Sequence, residues 1–260
     1  MIKIRVFIPG LMIALSFLNL SAQQKTSVTI LYDNIPFVDS LETSWGFAAF
    51  IEHGAKKILF DTGGKEDLLI ENMRKLGVDT TAIDHVVLSH EHWDHIGGLV
   101  RIIEKNKGVT VYVPANMKKN RIEMIEIFDA TPKPINQYLK FSDGITLVHH
   151  PDSNPAELSM IISTAKGPVI LSGCAHIGIK KVVERAGDFT EEDIFLVMGG
   201  FHMHRSTQKQ IDEVVLSLKD KGVQFVAPSH CTGENAMEAF RKTFGENFIK
   251  AGLGKKIVIQ

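Results

Sequence analysis

Cysteine is scarce in this sequence, which has only Cys174 and Cys231 among 260 residues. A chain of this length buries roughly three quarters of its unfolded surface, so it needs no disulfide framework to fold. Two cysteines still permit one disulfide. A Cys174–Cys231 disulfide is one hypothesis, because both cysteines lie in histidine-containing segments that could meet in space. The same segments offer the thiols a second use as metal ligands.

Excess charge of either sign is also lacking, since the formal net charge is −1. This balance provides no basic surface, so we expect no nucleic-acid partner. Internal repeats and low-complexity tracts are absent as well. A hydrophobic content of 44% with 23% charged residues is typical of a globular protein. We therefore expect one globular domain over residues 23–260.

The longest apolar run lies at the N-terminus, where Lys3 and Arg5 precede the stretch 6–20 and small residues follow. This order is typical of a secretory signal peptide over residues 1–22. The run is shorter than the roughly 20 residues of a membrane-spanning helix and contains Pro9 and Gly10. We expect an exported protein, periplasmic or secreted, with no stable membrane anchor after cleavage.

The remaining chain alternates between short β-branched or aromatic runs and segments with helical periodicity. The pattern predicts an α/β protein with two comparable halves. Because each half begins with strands typical of antiparallel hairpins, the sheets are not expected to be purely parallel, which gives the fold an α+β character. Predicted strands cover 27–32, 46–53, 56–60, 84–90, 109–114, 145–150, 157–164, 167–173, 193–200 and 223–228, with an edge strand at the C-terminus. Predicted helices cover 65–77, 99–108, 177–187, 206–222 (capped by Ser206) and 233–245. Residues 115–143 are expected to form an irregular insertion near the functional site.

The segment LSHEHWDHIGG, residues 88–98, concentrates three histidines and an aspartate directly after an apolar strand. If the segment is extended, His90, His92 and Asp94 project to one side because alternate residues share a face. A turn at Gly97-Gly98 would then bring His95 beside them. Imidazole and carboxylate are good ligands for Zn²⁺ and comparable metals. The cluster therefore predicts two adjacent metal ions that activate water for hydrolysis.

The segment HEHWDH resembles the HxHxDH motif of the metallo-β-lactamase superfamily, and FDTGG (60–64) resembles the aspartate-bearing turn of the same proteins. The resemblance covers roughly residues 27–259. It implies a four-layer αββα sandwich with a dinuclear metal site at one edge of the sheets. The motifs specify the fold strongly and the substrate weakly.

Three further motifs end strands of the second half: SGCAHIG (172–178), GGFHMH (199–204) and PSHCTG (228–233). Together they resemble a subgroup of dihydropterin-linked β-ribofuranosylaminobenzene 5'-phosphate synthase-like proteins. The resemblance implies one metal held by His90, His92 and His176, and a second held by Asp94, His95 and His230.

Several roles stay open at this level. Cys174 replaces the aspartate that most members of the superfamily carry, and it is either a metal ligand or a small buried side chain. Cys231 is expected to point away from the metals. Asp61 either orients a ligand histidine or caps its turn. His202 is either a proton donor to the leaving group or a structural residue, and Asp94 could also orient the nucleophile.

The expected function is therefore a metal-dependent hydrolase acting on an ester, lactone, thioester or phosphoester-type small molecule. Two divalent ions would serve as cofactors, with Zn²⁺ expected first and iron or manganese also compatible with the ligands. One alternative is a transferase or synthase of pterin-type metabolism. Another is a non-catalytic protein that binds a metal or ligand with the same fold.

Overall fold

The computed structural model describes residues 24–141 and 144–260. The predicted signal peptide lies outside these residues. No helix in the described ranges is both long and apolar enough to cross a membrane.

Strands and helices alternate along the described chain much as the sequence predicts. The first half contains β1 (Thr26–Tyr32), β2 (Ala48–His53), β3 (Lys56–Phe60), α1 (Glu66–Lys75), β4 (His85–Val87), α2 (Trp93–Ile96), α3 (Leu99–Lys105) and β5 (Thr110–Pro114). There follow α4 (Lys119–Ile127), β6 (Thr131–Ile135), β7 (Tyr138–Lys140), β8 (Ile145–His150), β9 (Glu157–Ile162) and β10 (Val169–Ser172). The chain ends with α5 (Ile179–Ala186), β11 (Leu196–Gly200), α6 (Gln208–Asp220), β12 (Phe225–Ser229), α7 (Glu234–Phe244) and β13 (Lys256–Ile259).

The strands form two mixed sheets. One sheet has the order β13-β1-β2-β3-β4-β5-β6, and the other has the order β12-β11-β10-β9-β8-β7. Antiparallel hairpins start the first sheet, and β3 to β6 run parallel. In the second sheet β10, β11 and β12 run parallel. The C-terminal strand lies at a sheet edge, as predicted.

The two sheets pack face to face, and helices cover both outer faces. Ile51 of the first sheet and Met160 of the second belong to the same buried central cluster. On one outer face, α1 and α3 contribute Leu69 and Ile103 to a second cluster. The other outer face is covered by α5, α6 and α7. Two sheets buried between helices form the predicted αββα sandwich.

Helix α5 illustrates how the sequence produces this layering. Its buried residues recur at helical spacing, so they form one apolar stripe that packs on the second sheet. These residues are Ile179, Val182, Val183 and Ala186.

The segment 115–143 is more regular than predicted, because it contains α4, β6 and β7. Pro132 and Pro134 suggested irregular structure, since proline cannot donate to a strand ladder. Strand β6 tolerates both prolines because it is the outer strand of its sheet. The start of the segment contacts the histidine motif: the Nζ of Lys118 lies 2.7 Å from a carboxylate oxygen of Glu91.

Helix α6 begins one residue later than predicted. Thr207, not Ser206, is the N-cap, and it forms a reciprocal capping box with Gln210. The hydroxyl of Thr207 accepts from the Gln210 backbone, and the Gln210 side chain accepts from the Thr207 backbone at 2.8 Å.

Two glycine-rich turns interlock at the edge of the first sheet. The backbone of Thr62 donates to the carbonyl of His95 at 2.7 Å, and Gly97 donates to the carbonyl of Gly63 at 2.8 Å. A side-chain carbon at Gly97 would overlap the backbone of Gly64. The DTGG and HIGG segments therefore fit together because neither has a side chain at the point of contact.

We predict that Gly97→Ala lowers the free energy of unfolding by about 1–3 kcal/mol, because the added methyl group overpacks this contact. Urea denaturation measures the change. Gly187→Ala is the matched control, since Gly187 has right-handed helical dihedrals (φ −59°) and only one close neighbour, the carbonyl of Glu184. Equal stability of the two variants would contradict the packing argument.

Candidate metal centre

The predicted site residues meet where strands of both sheets end. Asp61 follows β3 and the histidine motif follows β4, while Cys174, His202 and His230 follow β10, β11 and β12. Four non-glycine residues after these strands have left-handed backbones: Asp61 (φ 58°), Ala175 (φ 54°), His202 (φ 52°) and His230 (φ 51°). Such conformations cost energy and tend to cluster at functional sites.

One group of donors surrounds His90. Its Nε2 lies 3.1 Å from Nδ1 of His92 and 3.3 Å from Nε2 of His176. The ligand atoms of His90, Cys174 and His176 all lie within 4.8 Å of one another. Burial lowers the pKa of His90 well below its usual value and that of His176 to about 3. These imidazoles are therefore neutral and have lone pairs for a cation.

A second group surrounds Asp94. Its Oδ2 lies 3.6 Å from Nε2 of His95 and 3.5 Å from Nε2 of His230. Burial alone would raise the pKa of Asp94, but the neighbouring imidazole of His230 and the charge of His95 lower it to about 2. His95 also reaches the first group, since its Nε2 lies 3.3 Å from Sγ of Cys174.

The motif does not reach this geometry as an extended segment. Residues 93–96 form the helical turn α2, so Asp94 and His95 arrive through a helix rather than through strand alternation. The prediction that Asp94 shares an extended face with His90 and His92 was therefore wrong in its geometry. The structure nevertheless brings all four side chains of the motif together.

Asp61 holds the inner histidines in position. Its Oδ2 accepts from Nδ1 of His95 at 2.7 Å and from the hydroxyl of Ser89 at 2.7 Å. The Ser89 oxygen lies 2.9 Å from Nδ1 of His90. Because the Ser89 hydroxyl donates to Asp61, it accepts from His90. One buried carboxylate thus directs Nε2 of both His95 and His90 toward the site.

Sequence reasoning missed the residue that orients His230. Asn34 follows β1 and accepts from Nδ1 of His230 through Oδ1 at 2.8 Å. Its amide nitrogen also donates to the His230 carbonyl at 3.2 Å. The neighbouring Asp33 is fully buried, which raises its pKa to about 6 against the attraction of His230. In the sequence, the only feature that pointed to Asn34 was its position, with Asp33, directly after the predicted first strand.

The two cysteines are adjacent and free. Their Sγ atoms are 3.2 Å apart, whereas a disulfide bond is about 2.05 Å long. The prediction that Cys231 points away was wrong, because β12 ends at Ser229 and a 3-10 turn redirects the next side chains. Burial raises the pKa of the Cys174 thiol well above its usual value. A divalent cation would displace its proton.

The remaining histidines near the strand ends of the second half divide into two sets. The ring of His202 lies 4.2 Å from that of His176, and a hydrogen bond with Cys231 raises the pKa of His202. By contrast, His149 bonds to the Asn136 carbonyl at 2.7 Å and His150 to the Ser159 hydroxyl at 2.9 Å. His176 and His202 therefore lie in the donor cluster, whereas His149 and His150 form hydrogen bonds outside it.

The donor set fits divalent metal binding. His230 Nε2 is buried and makes no hydrogen bond with any residue that the structure describes, although the Asp94 carboxylate lies 3.5 Å away. A buried imidazole nitrogen without a partner is costly unless it binds something else. Cys174 belongs both to the group with His90 and His176 and to the group with His95 and His230. Nitrogen, oxygen and thiolate donors in this arrangement suit zinc and similar metals.

This sandwich and this donor cluster define a metallohydrolase-type fold with a divalent-metal site. The chain belongs to the metallo-β-lactamase superfamily, whose family model matches residues 46–230. It is 27% identical over 250 residues to the 7,8-dihydropterin-6-methyl-4-(beta-D-ribofuranosyl)-aminobenzene-5'-phosphate synthase of Methanocaldococcus jannaschii, covering 78% of this chain and 84% of that protein.

Two solved structures are similar along most of the chain. Tm1679, a metal-dependent hydrolase of the β-lactamase superfamily, superposes with a TM-score of 0.76 at 25% identity, over 89% of this chain and 98% of Tm1679. YhfI from Bacillus subtilis, a metallo-β-lactamase fold protein, has a TM-score of 0.64 at 15% identity, over 91% and 100% of the two chains. The second likeness concerns the fold alone.

We predict that Asp61→Asn weakens zinc binding by about 10–100-fold, because both carboxylate oxygens accept hydrogen bonds and an amide nitrogen at either position would face a donor: His95 and the Ser89 hydroxyl at Oδ2, or the Ser89 backbone at Oδ1. Competition with a chromophoric chelator measures the affinity. Asp188→Asn, a change of an exposed aspartate, is the control and should bind as the unaltered protein does. Unchanged affinity of Asp61→Asn would show that this carboxylate does not support the centre.

Proposed function

We propose that the protein is a metal-dependent hydrolase of an ester, lactone, thioester or phosphoester-type small molecule. The observation that carries the proposal is the convergence of two donor groups on the shared thiol of Cys174. Membership of a superfamily rich in hydrolases and the similarity to Tm1679 support the same reaction class.

In this proposal His90, His92 and His176 would hold one cation, and Asp94, His95 and His230 would hold the other. Cys174, whose Sγ belongs to both donor groups, would be an additional ligand. Two bound divalent ions, with Zn²⁺ expected and iron or manganese compatible, would supply an activated water and a Lewis acid.

The protein's own groups would complete the chemistry. The Asp94 carboxylate, ionised because its pKa is about 2, can accept a hydrogen bond from the attacking water and orient it. His202 is exposed beside His176 and has a raised pKa, so it can hold a proton for the leaving group. The hydrogen bonds of Asp61 and Asn34 keep His95 and His230 fixed during the reaction.

A synthase or transferase is the second candidate, because a relative that matches most of the chain is named as a synthase. Product analysis with pterin and phosphoribosyl substrates would separate that reaction from hydrolysis. A non-catalytic metal-binding protein of the same fold is a third candidate. It is less favoured because the ligand-bearing motifs are nearly all present in the sequence.

We predict that removal of metal abolishes hydrolysis and that Zn²⁺, Mn²⁺ or Fe²⁺ restores it. A panel of phenyl acetate, a γ-lactone, an acyl thioester and a phosphodiester tests the reaction. His95→Ala should reduce the rate by at least about 100-fold, because it removes a metal ligand. Metal analysis and thermal melting verify that the variant is folded and depleted of metal.

His149→Gln is the matched control for that variant, since this histidine bonds to a backbone carbonyl outside the cluster. It should retain the rate within about threefold. Full hydrolysis by His95→Ala, or by the metal-free protein, would contradict the proposed mechanism.

We further propose that the protein is exported to the periplasm or secreted. The proposal rests on the basic residues, apolar stretch and small residues of the segment 1–22, which are typical of a signal peptide. Expression of the full chain in a Gram-negative host, followed by fractionation and N-terminal sequencing, tests this. The expected product is extracytoplasmic and begins near Gln23. Recovery of the uncleaved chain from the cytoplasm would contradict it.

A further inference from the structure

A cavity of about 310 Å³ adjoins the metal centre on the side of His230. His230 lines this cavity and also faces Asp94 in the second donor group. Because the cavity and the second donor group share the imidazole of His230, the two sites are adjacent.

One wall of the cavity is apolar and includes Ile35, Pro36, Trp45 and Met237. The Trp45 ring lies 5.0 Å from the ring of His230 and is 43% exposed. Leaving an indole partly in water beside a functional site is unfavourable, and such surfaces commonly receive the apolar part of a ligand. The flat indole is suited to an aromatic ring or a short alkyl chain.

The polar groups of the cavity limit the charge of its ligand. Both polar atoms of the Asn34 side chain already form hydrogen bonds with His230. His204 uses Nδ1 on the Cys231 carbonyl at 3.3 Å, which leaves its Nε2 for a ligand. The carboxylate of Glu234 is exposed and has no ion pair within the described ranges of the chain. This carboxylate repels an anionic substituent and leaves an uncharged one unaffected.

We propose that this cavity binds an uncharged aromatic or short alkyl substituent of the substrate. The inference rests on the proposed hydrolase and narrows it to apolar esters or lactones without an anionic group on that side. Trp45 and Met237 contact the substituent, and Glu234 selects against negative charge. A phosphate-bearing substituent does not fit this subsite.

Hydrolysis of matched esters tests the subsite. Trp45→Ala should lower kcat/KM for phenyl acetate by about tenfold or more, mainly through KM, because burial of an aromatic ring against indole is lost. The value for methyl acetate, which does not reach the indole, should change less than twofold. Tyr138→Ala is the matched control, since it removes another exposed aromatic that does not line the cavity.

Glu234→Gln tests the charge argument separately. It should raise kcat/KM for the anionic ester 4-acetoxybenzoate several-fold relative to kcat/KM for phenyl acetate. Equal losses on phenyl and methyl acetate in Trp45→Ala, or no selective gain in Glu234→Gln, would overturn the subsite while hydrolase activity itself stands.

A binding measurement separates failure of the subsite from failure of the proposed function. The chain has two tryptophans, so a Trp93→Phe variant reports Trp45 fluorescence alone. Benzyl alcohol should change this fluorescence saturably, and Met237→Lys should abolish the change. If no ester is hydrolysed but this binding occurs, the subsite stands and the hydrolase fails. A linear, non-saturable response would overturn the subsite.

Discussion

The central constraint in this molecule is the crowding of metal-ligating side chains in a buried site, where His230 Nε2 has no hydrogen-bond partner among the described residues. Nitrogen and sulfur donors of His90, His95 and Cys174 lie about hydrogen-bond distance from their neighbours, and several of these side chains are fully buried. Burial favours the neutral forms of His90 and Cys174, whereas the carboxylate of Asp61 raises the pKa of the equally buried His95. A bound divalent cation would stabilise this cluster of donor atoms, which lies where strands of both sheets end.

The sandwich supplies rigidity where the cluster needs it. Parallel strands of each sheet end at the same edge, and the left-handed residues after them turn the side chains inward. Asp61 and Asn34 then fix the outer nitrogens of ligand histidines. Asp61 therefore supports both donor groups, and Asn34 adds a second support to the group around Asp94.

Much of this arrangement could be predicted from local patterns. The DTGG motif and the HxHxDH motif are each a short continuous stretch of sequence, and hydrophobic runs locate the strands that precede them. Relations between distant residues could not be predicted. Asn34 and His230 are 196 positions apart, and the inward direction of Cys231 depends on a 3-10 turn that no composition signal marks. Strand β6 escaped detection because its prolines are tolerated only at an outer edge.

The centre also connects the fold to substrate choice, since His230 belongs both to the donor cluster and to the wall of the neighbouring cavity. The most direct test of the account is a crystal structure of the metal-loaded protein with anomalous scattering data. The account predicts two peaks, one bounded by His90, His92 and His176 and the other by Asp94, His95 and His230, with Cys174 between them. A density map of the zinc-soaked protein without a peak at these side chains would contradict it.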